Sequence, residues 1–167
     1  AKTAYGFMMF AKWYDNENRT CFEGSHGIVA DFISDLPSDC IFIDIGANQG
    51  CTSILASKVF SNNQNNGVVI SFEPSSFSFG LMERNIKLNK CNNIFAFNRA
   101  VSSKKLKLYL NENDKENSGA SHISEKGNPI IAGPIKVEDL RKITKNNDIF
   151  IKIDTEGYEM FVIEGLE

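Results

Sequence analysis

The sequence predicts an α/β fold with a doubly wound, mostly parallel sheet, and three observations lead there. Short apolar runs alternate with stretches of helical spacing, the runs are apolar on consecutive residues, and the first of them ends in an acid and a glycine-bearing turn. Strands that are apolar on both faces belong to a sheet covered on both sides. Strand, helix, strand order then implies parallel neighbours joined by right-handed crossovers.

Each element follows in turn. "CIFIDI" is the first buried strand, and "CTSILASKVF" after it has helical spacing through Ile54, Leu55, Lys58 and Val59. The polar run "SNNQNNG" turns the chain into a second strand, "VVISF". Residues 75–88 form a helix with Phe77, Leu81 and Leu88 on its apolar face, stopped by "NKCNN". "IFAF" is a short third strand, "LKLYL" alternates like an edge or hairpin strand, "DIFIKID" is a fourth buried strand, and "EMFVIEGL" opens another helix. Residues 111–134 are long, polar and aperiodic, which predicts a binding loop or lid.

Composition narrows the class. The 167 residues suit one domain, with residues 1–39 as an N-terminal covering segment and 40–167 as a cofactor-binding core. With 42% hydrophobic and 23% charged residues and a mean hydropathy of -0.23, the chain is globular rather than disordered. A net charge of -3 and a pI near 5.5 weigh against a nucleic-acid partner. The apolar stretch "YGFMMFAKWY" is too short to span a bilayer and has no cleavage-site signature, so it predicts an element that covers the core and no membrane partner. Cys21, Cys40, Cys51 and Cys91 have no CxxC spacing. They predict buried free thiols and a cytoplasmic protein.

The chemistry is concentrated at "FIDIGANQG". In an open α/β sheet, ligands bind beyond the carboxyl ends of the strands. Asp44 ends the first strand, Gly46 permits the tight turn, and Gly50 permits close approach of a ligand or of the next helix. That helix offers free N–H groups and a positive dipole end to an anionic group. Glu73 ends the second strand, where the acid that binds ribose hydroxyls sits in dinucleotide folds, and Pro74 keeps it extended. A dinucleotide fingerprint needs a glycine where Asn48 stands, and Asp44 would repel a pyrophosphate while suiting an ammonium. S-adenosylmethionine, with an ammonium, a carboxylate and a ribose, is therefore expected in preference to a nicotinamide dinucleotide.

In order and spacing, "FIDIGANQG", "VISFEPS", "NRAVSS", "NSGASHI" and "IKIDTEGYEMFVIEG" resemble the motifs of the FkbM-type S-adenosylmethionine-dependent methyltransferases, over residues 42–165. The resemblance implies a Rossmann-like class I methyltransferase that moves a methyl group to a hydroxyl of a carbohydrate or other small acceptor. It further implies that Asp44, Gly46, Ala47, Asn48 and Gly50 line the methionine end of the cofactor and that Glu73 and Pro74 hold the ribose. Asn98 and Ala100 would lie near the adenine, and Asp154 beside the transferring methyl group. The family's fold continues with further strands after the last helix, so the sheet is expected to lack its C-terminal strands and to leave an edge open to a second copy.

Candidate bases are Asp154, Glu156, Glu159 and His122. Lys152, on the same strand face as Asp154, is a candidate to polarise the acceptor. Asp154, Glu156 and Glu159 could also form an acidic metal set, but helix-capping and dipole-complementing acids account for them more simply, and no metal is expected. His26 has no supporting context. The competing classes are a non-catalytic cofactor-binding or interaction module and an RNA-cap-type methyltransferase, to which Lys152 and Asp154 bear a loose likeness.

Overall fold

The structure is a computed structural model that describes residues 1–11, 21–24, 27–37, 39–62, 67–111, 121–136, 139, 142 and 148–166. Four strands, β1 (Ile41–Ile45), β2 (Val68–Phe72), β3 (Ile94–Phe97) and β8 (Ile149–Ile153), make a parallel sheet in the order β3-β2-β1-β8. Helices α1 (Gly27–Ser34), α2 (Cys51–Asn62) and α3 (Ser76–Leu88) belong to one side. Under α1 and α2, Phe42, Val69, Ala56, Phe60 and Ile33 pack as one cluster.

The opposite face carries Ile41, Ile43, Ile45, Ile70 and Phe72. Part of it is covered by Val101, Ile135 and Val162, the last from the short helix α4 (Glu159–Ile163). Every residue of β1 is buried, as its unbroken apolar run requires.

A second sheet, in the order β4-β7-β5-β6, holds β4 (Ala100–Val101), β5 (Leu106–Asn111), β6 (His122–Ser124) and β7 (Asn128–Gly133). It corrects the expected loop at 111–134. β5 pairs antiparallel with both β6 and β7, so most of the second half of that stretch is strand, and residues 112–120 lie outside the described set. The sequence hid this because residues 121–134 contribute only Ile123, Ile130 and Ala132 to the core of this sheet, too few to show a strand period.

The inward face of α3 is also corrected. Phe77 and Leu88 are exposed, while Ser78, Met82 and Asn85 are buried. Backbone hydrogen bonding explains it. Asn89 Nδ2 donates to Met8 O at 2.7 Å and its Oδ1 accepts from Met8 N at 3.2 Å. Asn85 treats Phe10 in the same way, at 3.1 and 2.7 Å, and also donates to Gln49 O at 3.0 Å. Two asparagines a helical turn apart thus imitate a neighbouring strand and tie the N-terminal segment to the glycine loop. Buried backbone groups need partners, and apolar side chains could not have provided them.

Two cysteines depart from expectation. Cys21 and Cys51 form a disulfide, which closes 30 residues of sequence and joins the N-terminal segment to the first residue of α2. Spacing alone could not report a pairing created by the packing. Cys40 and Cys91 are free and buried, and burial pushes the Cys40 thiol up to about 11, which keeps it protonated and unreactive. Reducing the Cys21–Cys51 bond is expected to lower stability by roughly 3 to 4 kcal/mol. Denaturant titrations with and without a dithiol would check this; equal midpoints would show that the bond constrains nothing.

Candidate functional site

The main cleft lies at the carboxyl ends of the parallel strands, where β1 passes into residues 46–50, β2 into Glu73 and Pro74, and β8 into residues 154–158. At about 1030 Å³, open mouth included, it can take a nucleoside-sized ligand. Leu110 and Ile123 of the second sheet line it as well, as do Met9 and Cys21 of the N-terminal segment.

The glycine turn is held by backbone bonds. Gly46 N and Ala47 N both donate to Phe72 O at 3.0 Å, and Gly50 N donates to Ala47 O at 2.9 Å. Gly46 has φ +80, and a Cβ there would lie 1.8 Å from Asp154 O. Gly50, at φ +87, makes room for Met82 of α3 and does not line the cleft. Asn48 takes φ +49, a conformation asparagine tolerates, and its N–H points at Glu73.

Glu73 is buried at 7% exposure and lines the cleft. Its two carboxylate oxygens accept from Asn48 N and Ser75 N, each at 2.8 Å. Burial pushes its pKa up to about 7, against the lowering effect of those N–H groups and of Lys152. A carboxylate kept in so costly a place marks a functional position more often than a structural one.

Asp44 lies elsewhere. It is wholly buried and is not part of the cleft lining. Its Oδ2 accepts from Ser53 Oγ at 2.7 Å and its Oδ1 from Lys152 Nζ at 3.1 Å. Because the single Ser53 hydroxyl proton goes to Asp44, Ser71 is the donor in the 2.8 Å Ser53–Ser71 contact. Lys152 also donates to Gly46 O at 3.2 Å and lies 3.5 Å from Asp154. Burial works against its charge, but Asp44 and Asp154 outweigh burial and raise its pKa. Lys152 is therefore a fixed cation that locks Asp44 to the loop.

The turn after β8 presents Asp154, Thr155, Glu156 and Tyr158 to the cleft. The Asp154 side chain is 64% exposed. Glu156 and Gly157 take φ +52 and +94, a bend secured by Glu159 Oε1, which accepts from Thr155 N, Thr155 Oγ1 and Gly157 N at 3.0 to 3.1 Å. Backbone N–H groups hold the Glu159 carboxyl below its ordinary value. Among the described residues no three metal-ligating side chains converge.

The cleft thus gathers Gly46, Ala47, Asn48, Glu73, Pro74, Ala100, Lys152, Asp154 and Glu156, and leaves out Asp44, Gly50, Asn98 and His122. His122 lies between the lining residues Ser121 and Ile123, so strand alternation turns it away. Asn98 works from behind, donating to Glu73 O at 2.8 Å and Pro74 O at 3.1 Å. His26 lies outside the described residues. Arg99, Leu110, Ile123 and Tyr158 line the cleft without having stood out in the sequence. Of these, Arg99, Ile123 and Tyr158 lay beside the candidates Asn98, His122 and Glu159, inside quoted motifs, and Leu110 did not.

A parallel α/β sheet with a cleft at the carboxyl ends of its strands defines a Rossmann-like fold. The family model of the methyltransferase FkbM domain matches residues 44–167, and the chain belongs to that family. Its cofactor is accordingly S-adenosylmethionine.

Among solved structures, a methyltransferase FkbM from Methylobacillus flagellatus KT is 17% identical, with a TM-score of 0.50, over 77% of this chain and 29% of that one. A precorrin-6y C5,15-methyltransferase from Geobacter metallireducens GS-15 is 22% identical, with a TM-score of 0.41, over 55% and 43% of the two chains. The chain therefore spans less than half the length of either structure. No curated protein matches it. Among the described residues no helix is long and apolar enough to cross a membrane.

Proposed function

We propose that the chain carries the cofactor half, and the base, of an S-adenosylmethionine-dependent O-methyltransferase acting on a hydroxyl of a carbohydrate or other small acceptor. The observation behind it is the division of labour among three carboxylates. Asp44 is spent on Lys152 and Ser53, Glu73 faces the cleft from a buried position, and Asp154 stands exposed at the strand end.

The cleft suits the cofactor. Glu73 keeps lone pairs for the ribose hydroxyls, and the first turn of α2, through Cys51 and Thr52, faces the cleft with the N–H end that favours a carboxylate. Phe72, Leu110 and Ile123 would give the adenine apolar surroundings. When bound, the cofactor supplies a methyl group already activated by its sulfonium. What is asked of the chain is orientation and a proton acceptor. Asp154 is the base that takes the hydroxyl proton, and the Lys152 ammonium lies 3.5 Å from its carboxylate. Asp44 and Glu159 shape the two turns from behind.

One expectation carries over as part of the proposal, pairing of copies along the outer edge of β8. The expected cytoplasmic location rested on free thiols, of which Cys40 and Cys91 remain, and the Cys21–Cys51 disulfide weighs against it.

Thermal melting with S-adenosylhomocysteine and with NADH tests the cofactor, with stabilisation expected from the first alone. Transfer of a labelled methyl group to a panel of hydroxylated acceptors tests the activity. There Asp154→Asn should lower the rate by about 100-fold or more while leaving S-adenosylhomocysteine affinity near the parent value. Loss of both together would make Asp154 a cofactor ligand instead.

A further inference from the structure

We propose that the Cys21–Cys51 disulfide makes cofactor binding redox-sensitive: a dithiol that reduces it weakens the hold on the amino-acid end of the cofactor. The inference rests on the cofactor reading above. Both cysteines line the cleft, and Cys51 is the first residue of α2, at the helix end that faces it. Cys21 is buried at 2% exposure, whereas Cys51 is partly exposed. A disulfide that can be reached from inside a binding cleft is open to thiol–disulfide exchange, as one sealed in the core is not.

The exchange takes two steps. A thiolate of the dithiol attacks the Cys51 sulfur, the S–S bond breaks, and Cys21 leaves as a thiolate that takes up a proton. The second sulfur of the dithiol then attacks the mixed disulfide and releases Cys51 as a thiol. The protein gains two electrons and two protons, and the dithiol ends as a disulfide.

Once unbonded, the two sulfurs cannot stay where they are, because non-bonded atoms rest about 3.5 to 4.0 Å apart. Behind Cys21 the space is taken. Met9 Sδ already lies 3.4 Å from Cys21 Sγ, and Phe7 and Ile54 belong to the same buried cluster. The sulfurs therefore part towards the cleft, at the start of α2, the end that suits the cofactor's carboxylate. Elsewhere the N-terminal segment keeps its ties. Ala4 N donates to Cys21 O at 3.3 Å, and Asn89 and Asn85 hold the backbone of Met8 and Phe10. The effect of reduction is thus local to one end of the cleft.

Two ligands separate this role from general support of the fold. Titration calorimetry with S-adenosylhomocysteine and with 5′-methylthioadenosine, which lacks the amino-acid end, is run on the oxidised chain and after dithiothreitol. Thiols titrated in denaturant should rise from two to four as the bond opens. S-adenosylhomocysteine should then bind about tenfold more weakly, as for the loss of one hydrogen bond to a charged group, while the affinity for 5′-methylthioadenosine stays the same. Cys21→Ser should match the reduced chain with or without the dithiol. A bond that survives dithiothreitol, or a loss shared equally by both ligands, would overturn the proposal. If the oxidised chain binds neither ligand, the cofactor reading falls and this one with it. If it binds S-adenosylhomocysteine and reduction leaves that affinity unchanged, only the role of the disulfide falls.

Discussion

Replacing Gly46 with alanine is expected to destabilise the chain by more than about 4 kcal/mol and to abolish cofactor binding. The added Cβ would lie 1.8 Å from Asp154 O and 2.9 Å from Asp154 C, and both are backbone atoms that cannot rotate away. Asp154 N is itself bonded to Ile45 O at 3.0 Å, which continues the β1–β8 pairing past the end of the strand. Relief would require parting the glycine turn from the turn that bears Asp154, and φ +80 adds strain for any side chain. Gly50→Ala is the internal control. Its nearest obstacle is Met82 Cγ at 2.8 Å, on a flexible side chain, so a smaller loss is expected despite φ +87. Urea unfolding of both variants checks this. A Gly46→Ala protein as stable as Gly50→Ala would mean that the two turns do not meet.

Glu73→Ala is expected to weaken S-adenosylhomocysteine binding by about 100-fold, since it removes a charged acceptor of the ribose hydroxyls along with the anchor of Asn48 N and Ser75 N. The pH dependence is a second signature. Burial puts the folded pKa at about 7, above the ordinary 4.5, so between these values the folded chain holds a proton that the unfolded chain releases. Stability from this group is therefore fully present below about pH 4.5 and is lost as pH rises to about 7, by up to about 3 kcal/mol. Cofactor affinity runs the other way, because hydroxyls donate to the charged form. It should fall about tenfold per pH unit below 7 and level off above it. Both slopes should be absent in Glu73→Ala. Unfolding at pH 5 and 8, with calorimetry at pH 6 and 8, would settle the matter; an unsubstituted chain whose affinity does not change between pH 6 and 8 would refute the role given to Glu73.

The candidate site was partly legible in the sequence because a buried strand ending in an acid and a proline is a local pattern, and it singled out Glu73 without any coordinates. Asp44 follows the same pattern at the end of β1, yet it serves a different purpose. Nothing in "FIDIG" indicates that Lys152, 108 residues later, will reach its Oδ1 and leave it no exposure.

By itself the sequence determined the parallel strands, the helices between them, the glycine turn and the acid at the end of β2, because consecutive apolar residues, helical periodicity and turn chemistry are local properties of the chain. Tertiary structure alone decided which carboxylate faces the cleft, which cysteines pair, that α3 turns asparagines inward, and that a second sheet brings up Leu110, Ile123 and Arg99. Each of these depends on a partner distant in sequence, and hydrogen bonding, charge neutralisation and burial act through space rather than along the chain.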